Sequence, residues 1–240
     1  MFSEIRKHLK PKHIGVYINP DEIEKSFTHT GILDFRDFSL NAVTLEALLS
    51  FLKISSFLEE LFAKQHFNAC NLTDFKIVDD CLHIPIHFRD SYFASIISDF
   101  IRTQLMLNGS TLTFESVMSS TDKIHILQKA KELGYRVYLY YISTVDPQIN
   151  IGRVASRVAM NGHNVAQDKI ISRYFKSLEN LFDAAKFSYR AYFFDNSENL
   201  KLIAQLSIDE RTEEFELEFT DETRPDWLQK YFLDKINKNG

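Results

Sequence analysis

Glycine is scarce in this sequence, and the few glycines are scattered. Gly15, Gly31, Gly109, Gly134, Gly152, Gly162 and Gly240 are the seven in 240 residues, and they form neither G-x-G-x-x-G nor G-x-x-x-x-G-K-[ST]. A loop that wraps its backbone N–H groups around a phosphate uses such spacings, because glycine alone lets the main chain approach closely. No loop of that kind is visible. Cysteine is scarcer: Cys70 and Cys81 are the only two. They are too few for a disulfide framework or a thiolate metal site, which suits a reducing compartment, and they read as small, partly buried hydrophobes. Long apolar runs are missing too, and the amino-terminal MFSEIRKHLKPK is charged throughout, without an apolar signal core. The expected location is cytoplasmic. An excess of positive charge is lacking as well: 28 Lys and Arg against 33 Asp and Glu leave a net charge of -5. No overall field favours nucleic acid or an anionic membrane, and neither is an expected partner. Any anion site must be local.

Aromatic residues, by contrast, are plentiful. Phe occurs 21 times and Tyr 10 times within a chain that is 45% hydrophobic, enough to fill a large core. Short apolar runs alternate with amphipathic stretches near the start and again after about residue 90, the pattern of βα units that build a parallel sheet. The expected strands are His13–Ile18, Thr111–Glu115, Arg136–Ile142 and Ala191–Phe194. The expected helices are Asp21–Phe27, Ser91–Leu107, Lys123–Leu133, Ile149–Met160 and Gln167–Lys186. Gly134 after KAKEL reads as a helix C-cap. The segment Gly31–Arg89 breaks the rhythm with helical periodicity and, in DFKIVDDCLHIPIHF, two strands around a turn at Asp79-Asp80. It reads as an inserted helical subdomain with a hairpin. From residue 198 onward, LKLIAQLSI and EEFELEF predict a second hairpin, and RPDWLQKYFLDKI a closing helix with Pro225 at its start and Trp227 as a packing anchor. The fold class expected is α/β, as one domain over residues 1–240.

Ligands of such sheets bind beyond the carboxyl ends of the strands. Asp21, Glu115 and Asp195 all fall there. Asp21 follows VYINP directly; it is either a helix N-terminal acid favoured by the dipole or a presented carboxylate. Glu115 ends the strand TLTFES, where a surrounding sheet would bury it and a polar partner or ligand would be required. Asp195-Asn196-Ser197 ends YFFDNS as a turn or as a nucleotide edge. In NIGRVASRVAMNGHNVAQDKIISRYFKSLENL, Arg153 and Arg157 lie four apart on one helical face. Gly162-His163 then breaks the chain, with His163 either packing the loop or serving function. Lys169, Arg173 and Lys176 line one face of the next helix. Two basic helices joined by a short loop either close over an anion or present solvated faces.

Taken in order, VYINPDEI, TLTFESVMSS, RVASRVAMNGHNVAQDKIISRYFKSLENL and YFFDNS resemble the zeta-toxin-like group of P-loop kinases over residues 13–27 and roughly 90–197. The resemblance implies an α/β P-loop kinase fold and transfer of a phosphoryl group from ATP, with Mg2+, to a hydroxyl of a UDP-activated amino sugar such as UDP-N-acetylglucosamine. It implies that Asp21 activates the hydroxyl, Asn19 shapes the pocket and Glu115 holds the acceptor. Arg157 and Arg173 match basic residues of a lid that neutralise the phosphoryl group in flight, Arg153 lies nearer the nucleotide, and Asp195 and Asn196 lie beside the adenine. An antitoxin-like protein is the implied protein partner. Phosphoryl transfer requires an in-line acceptor, a group to take its proton and positive charge around the moving phosphate, and the planar forks of arginine suit the last task. The sequence departs from the family in lacking the strand and G-x-x-x-x-G-K-[ST] loop that would precede VYINPDEI. The expectation is a kinase missing its phosphate loop, with a catalytically inactive binding module as the alternative. The insertion 31–89 lies between Asp21 and Glu115 and is expected to remodel the acceptor pocket.

Overall fold

A computed structural model describes residues 5, 11–64, 66–67, 72–160, 164–209, 211–212 and 214–239. Cys70 and His163 lie outside them. The chain divides into two compact units, Met1–Glu115 and Ser116–Gly240.

The first unit runs α1 (Pro11–Ile14), β1 (Val16–Ile18), α2 (Pro20–Phe27), β2 (Ile32–Asp34), α3 (Leu45–Lys53), α4 (Ser56–Ala63), β3 (Lys76–Val78), β4 (Cys81–His83), α5 (Ser91–Leu107) and β5 (Leu112–Phe114). β1 and β5 pair in parallel, with Tyr17 opposite Thr113. The strand expected from His13 starts only at Val16, because Gly15 sits at φ +59° and a Cβ there would come within 2.0 Å of the Thr111 carbonyl oxygen. That left-handed glycine lets the chain switch from the α1 turn into the strand, where the Val16 N–H donates to the same carbonyl at 2.9 Å. β1 ends at Asn19-Pro20, since Asn19 caps α2 through its side chain and Pro20 begins the first turn.

The insertion holds helices α3 and α4, capped by Thr44 and Ser55, and an antiparallel sheet in the order β2-β4-β3. The expected hairpin is therefore present, with Asp79 and Asp80 in the left-handed region, and β2 is a third strand that the pattern did not reveal. ILD is too short to show alternation. Phe27, Phe35, Phe75, Phe88, Phe93 and Phe100 are fully buried in one cluster, where Phe75 stacks on Phe93 at 5.1 Å between ring centres.

The second unit runs α6 (Asp122–Glu132), β6 (Tyr138–Ser143), α7 (Pro147–Ala159), α8 (Gln167–Glu179), α9 (Leu181–Lys186), β7 (Arg190–Asp195), β8 (Lys201–Ile208), β9 (Phe215–Phe219), α10 (Asp226–Leu228) and α11 (Asp234–Asn239). Its sheet has the order β6-β7-β8-β9. β6 and β7 are parallel, and β8 and β9 follow antiparallel as the expected hairpin. Alternation along β6 buries Leu139, Tyr141 and Ser143 on one face. Two expected helices are interrupted. Gln167–Lys186 breaks at Asn180, whose side-chain amide donates to the Met118 carbonyl at 2.9 Å. The closing helix widens to a π turn at Gln229–Leu233, which carries Phe232 onto Phe193 at 4.6 Å between ring centres.

Candidate functional site

In the first unit the two parallel strands end together. Asn19 follows β1 and Glu115 follows β5, so their side chains start from the same sheet end. The Tyr17 hydroxyl donates to Glu115 Oε1 at 2.7 Å and accepts from Asn19 Nδ2 at 3.1 Å. Asn19 Oδ1 in turn accepts the Asp21 N–H at 2.9 Å. Three residues singled out in the sequence, Asn19, Asp21 and Glu115, are thus strung on one chain of hydrogen bonds with Tyr17 at its centre. Burial first, and then the bond to Glu115, push the Tyr17 phenol up to about 12, so it keeps its proton and remains a donor at neutral pH. Glu115 is exposed rather than buried. It lies one residue beyond the last paired position of β5, and its polar partner is the Tyr17 hydroxyl. Behind the strand, the buried Arg102 on α5 bonds to Asp99 and lies over the Phe114 ring at 4.5 Å, bracing the residue before Glu115; burial lowers its pKa from the usual arginine value.

Tyr17 was not among the candidates read from the sequence. A signal was there: Tyr17 lies in the strand and Asn19 two residues on, just past its end in still-extended backbone, so both project from one face.

In the second unit, loops after β6 and β7 are stitched to α7. Arg153 Nη2 donates to the Asn196 carbonyl at 2.6 Å and to the Ser197 carbonyl at 3.3 Å. The Asn196 N–H donates to the Ser143 carbonyl at 2.8 Å, and the Val145 N–H to Ser197 Oγ at 2.9 Å. Asp195 accepts the Ser197 N–H at 2.8 Å and the Trp227 indole N–H at 3.1 Å. Arg153, Asp195 and Asn196 are therefore brought together, with the Asp195 carboxylate engaged in shaping its own turn. Arg157 and Arg173 are exposed on α7 and α8. The two helices are held at the sheet end by short polar contacts: Asp146 caps α7, and the Tyr174 hydroxyl of α8 donates to the Thr144 carbonyl at 2.7 Å. Among the described residues, no group of three or more His, Cys, Asp or Glu side chains is placed to hold a metal ion, and no helix is long and apolar enough to cross a membrane.

Residues 91–205 match the model of the zeta toxin family. This segment is zeta-toxin-like. The match takes in Glu115, Arg153, Arg157, Arg173, Asp195 and Asn196, while Asn19 and Asp21 precede it. Each unit carries one parallel strand pair, β1–β5 and β6–β7, an α/β arrangement consistent with a P-loop-like fold. An uncharacterized protein of Haemophilus influenzae is 38% identical over 60 residues, which make up 25% of this chain and 43% of that protein. The chain thus spans less than half the length of that curated relative. No solved structure matches it.

Proposed function

We propose that this zeta-toxin-like protein belongs to an ATP-dependent phosphotransferase acting on a small-molecule hydroxyl, by family default that of UDP-N-acetylglucosamine. The observation that carries the reading is the hydrogen-bonded run Asp21–Asn19–Tyr17–Glu115 at the carboxyl ends of two parallel strands, where α/β sheets receive ligands. In this reading Glu115 accepts a hydrogen bond from the acceptor, and Asp21 takes the proton of the hydroxyl that attacks. Arg157 and Arg173 neutralise the phosphoryl group in transit, and Arg153 with Asp195 and Asn196 forms the adenine-side loop. Mg2+ bound to ATP would supply charge neutralisation at the phosphates; the roles given to this chain use its own side chains alone.

The test is Asp21→Asn in a chain joined to a strand and G-x-x-x-x-G-K-[ST] loop. Transfer is expected to fall by about 10²–10⁴-fold with ATP binding nearly intact, the range of a lost acid–base group. Retained transfer sinks the assignment. The exposed Glu115 and its hydrogen-bonded neighbours would equally serve a second reading, a binding module for a sugar nucleotide or an antitoxin-like protein. A thermal-shift titration of the 240-residue chain separates the two, since stabilisation by UDP-N-acetylglucosamine but not by Mg-ATP supports the module.

A further inference from the structure

We propose that Tyr17 is the positioning residue of this site, holding Glu115 in the one orientation that presents its second oxygen to a ligand. The inference rests on the reading of Glu115 as the group that holds the acceptor. A phenol has one proton to donate. Asn19 Nδ2 already donates to the Tyr17 oxygen at 3.1 Å, so the Tyr17 proton is directed to Glu115 Oε1 at 2.7 Å. A carboxylate held at one oxygen offers the lone pairs of the other, and at an exposed strand end a ligand hydroxyl or N–H can reach them.

The link also runs the other way along the chain. Asn19 is fixed by the Asp21 N–H at 2.9 Å, so the start of α2 and the end of β5 share one chain of bonds. In it Tyr17 supplies the step from strand to strand, because Tyr17 and Thr113 are opposite one another in the parallel register. Without the phenol, Glu115 is an exposed side chain with three rotatable bonds ahead of its carboxylate, and ordering it would fall to the ligand.

The experiment uses the 240-residue chain and UDP-N-acetylglucosamine, with affinity read by isothermal titration calorimetry. Tyr17→Phe is expected to weaken binding about tenfold, the equivalent of one hydrogen bond to a charged group. Glu115→Gln weakens it at least as much, and the double variant weakens it no further than Glu115→Gln alone, because Tyr17 acts through Glu115. In the free protein, the carboxylate ¹³C resonance of Glu115 moves in Tyr17→Phe while those of glutamates away from the site stay in place. Tyr17→Phe binding like the unaltered protein while Glu115→Gln loses affinity overturns the role of Tyr17 and leaves the acceptor reading standing. Additive losses, or an unmoved Glu115 resonance, overturn the coupling between the two. If the unaltered chain binds no sugar nucleotide, or if Glu115→Gln binds it as well as the unaltered chain does, the acceptor reading falls and takes this inference with it.

Discussion

At the scale of single residues, tyrosine carries much of the acid–base character of this protein. Tyr17 and Tyr140 are both pushed up to about 12, chiefly by burial, while an unfolded tyrosine titrates near 10. Between these values the unfolded chain gives up protons that the folded chain retains, so folding stability falls as pH rises from about 10 to about 12. Urea midpoints across that window are expected to decline less steeply in Tyr17→Phe, which removes one of the groups; an unchanged slope contradicts the assignment. The same residue shows the limit of what the sequence makes legible. Asp21, Glu115 and Arg153 stand out because charged residues at strand ends and on helix faces are conspicuous. Tyr17 does not stand out, since a tyrosine in VYI reads first as strand filling, and only the pairing register brings Glu115 to its hydroxyl.

At the scale of elements, most of the secondary structure is legible. Ser91–Leu107 forms over the expected span because apolar residues recur at helical spacing behind an Asp90 cap. The misplaced pieces have local causes: Gly15 delays β1, Asn180 divides the long helix, and β2 is too short for alternation to be read. Gly15 invites a direct test. Alanine there meets both a left-handed φ of +59° and the Thr111 carbonyl at 2.0 Å from its Cβ. Gly15→Ala is expected to cost at least about 2 kcal/mol of stability, seen as a lowered denaturant midpoint. A midpoint equal to that of the unaltered protein would mean that β1 enters its pairing with β5 in some other way.

At the scale of the whole molecule, the chain comprises two units with separate cores. The first is an aromatic cluster around Phe88, Phe93 and Phe100, the second a sheet backed by Trp227, Leu228 and Phe232. Phe100→Ala removes a fully buried ring and is expected to destabilise the first unit by about 3–5 kcal/mol. Amide hydrogen exchange should quicken in β1, α5 and β5 while β6 to β8 keep their protection; uniform loss in both units would show a single cooperative fold. This division was not legible in the sequence, where no linker or change of composition marks residue 115. The second core also holds the sole tryptophan. Trp227 is 3% exposed, packs on Tyr141 and gives its indole N–H to Asp195, the residue that opens the turn gripped by Arg153. Its emission is therefore a built-in optical gauge of that turn. Whatever displaces the loop after β7 alters the colour or yield of one fluorophore, with no label and no background from a second indole.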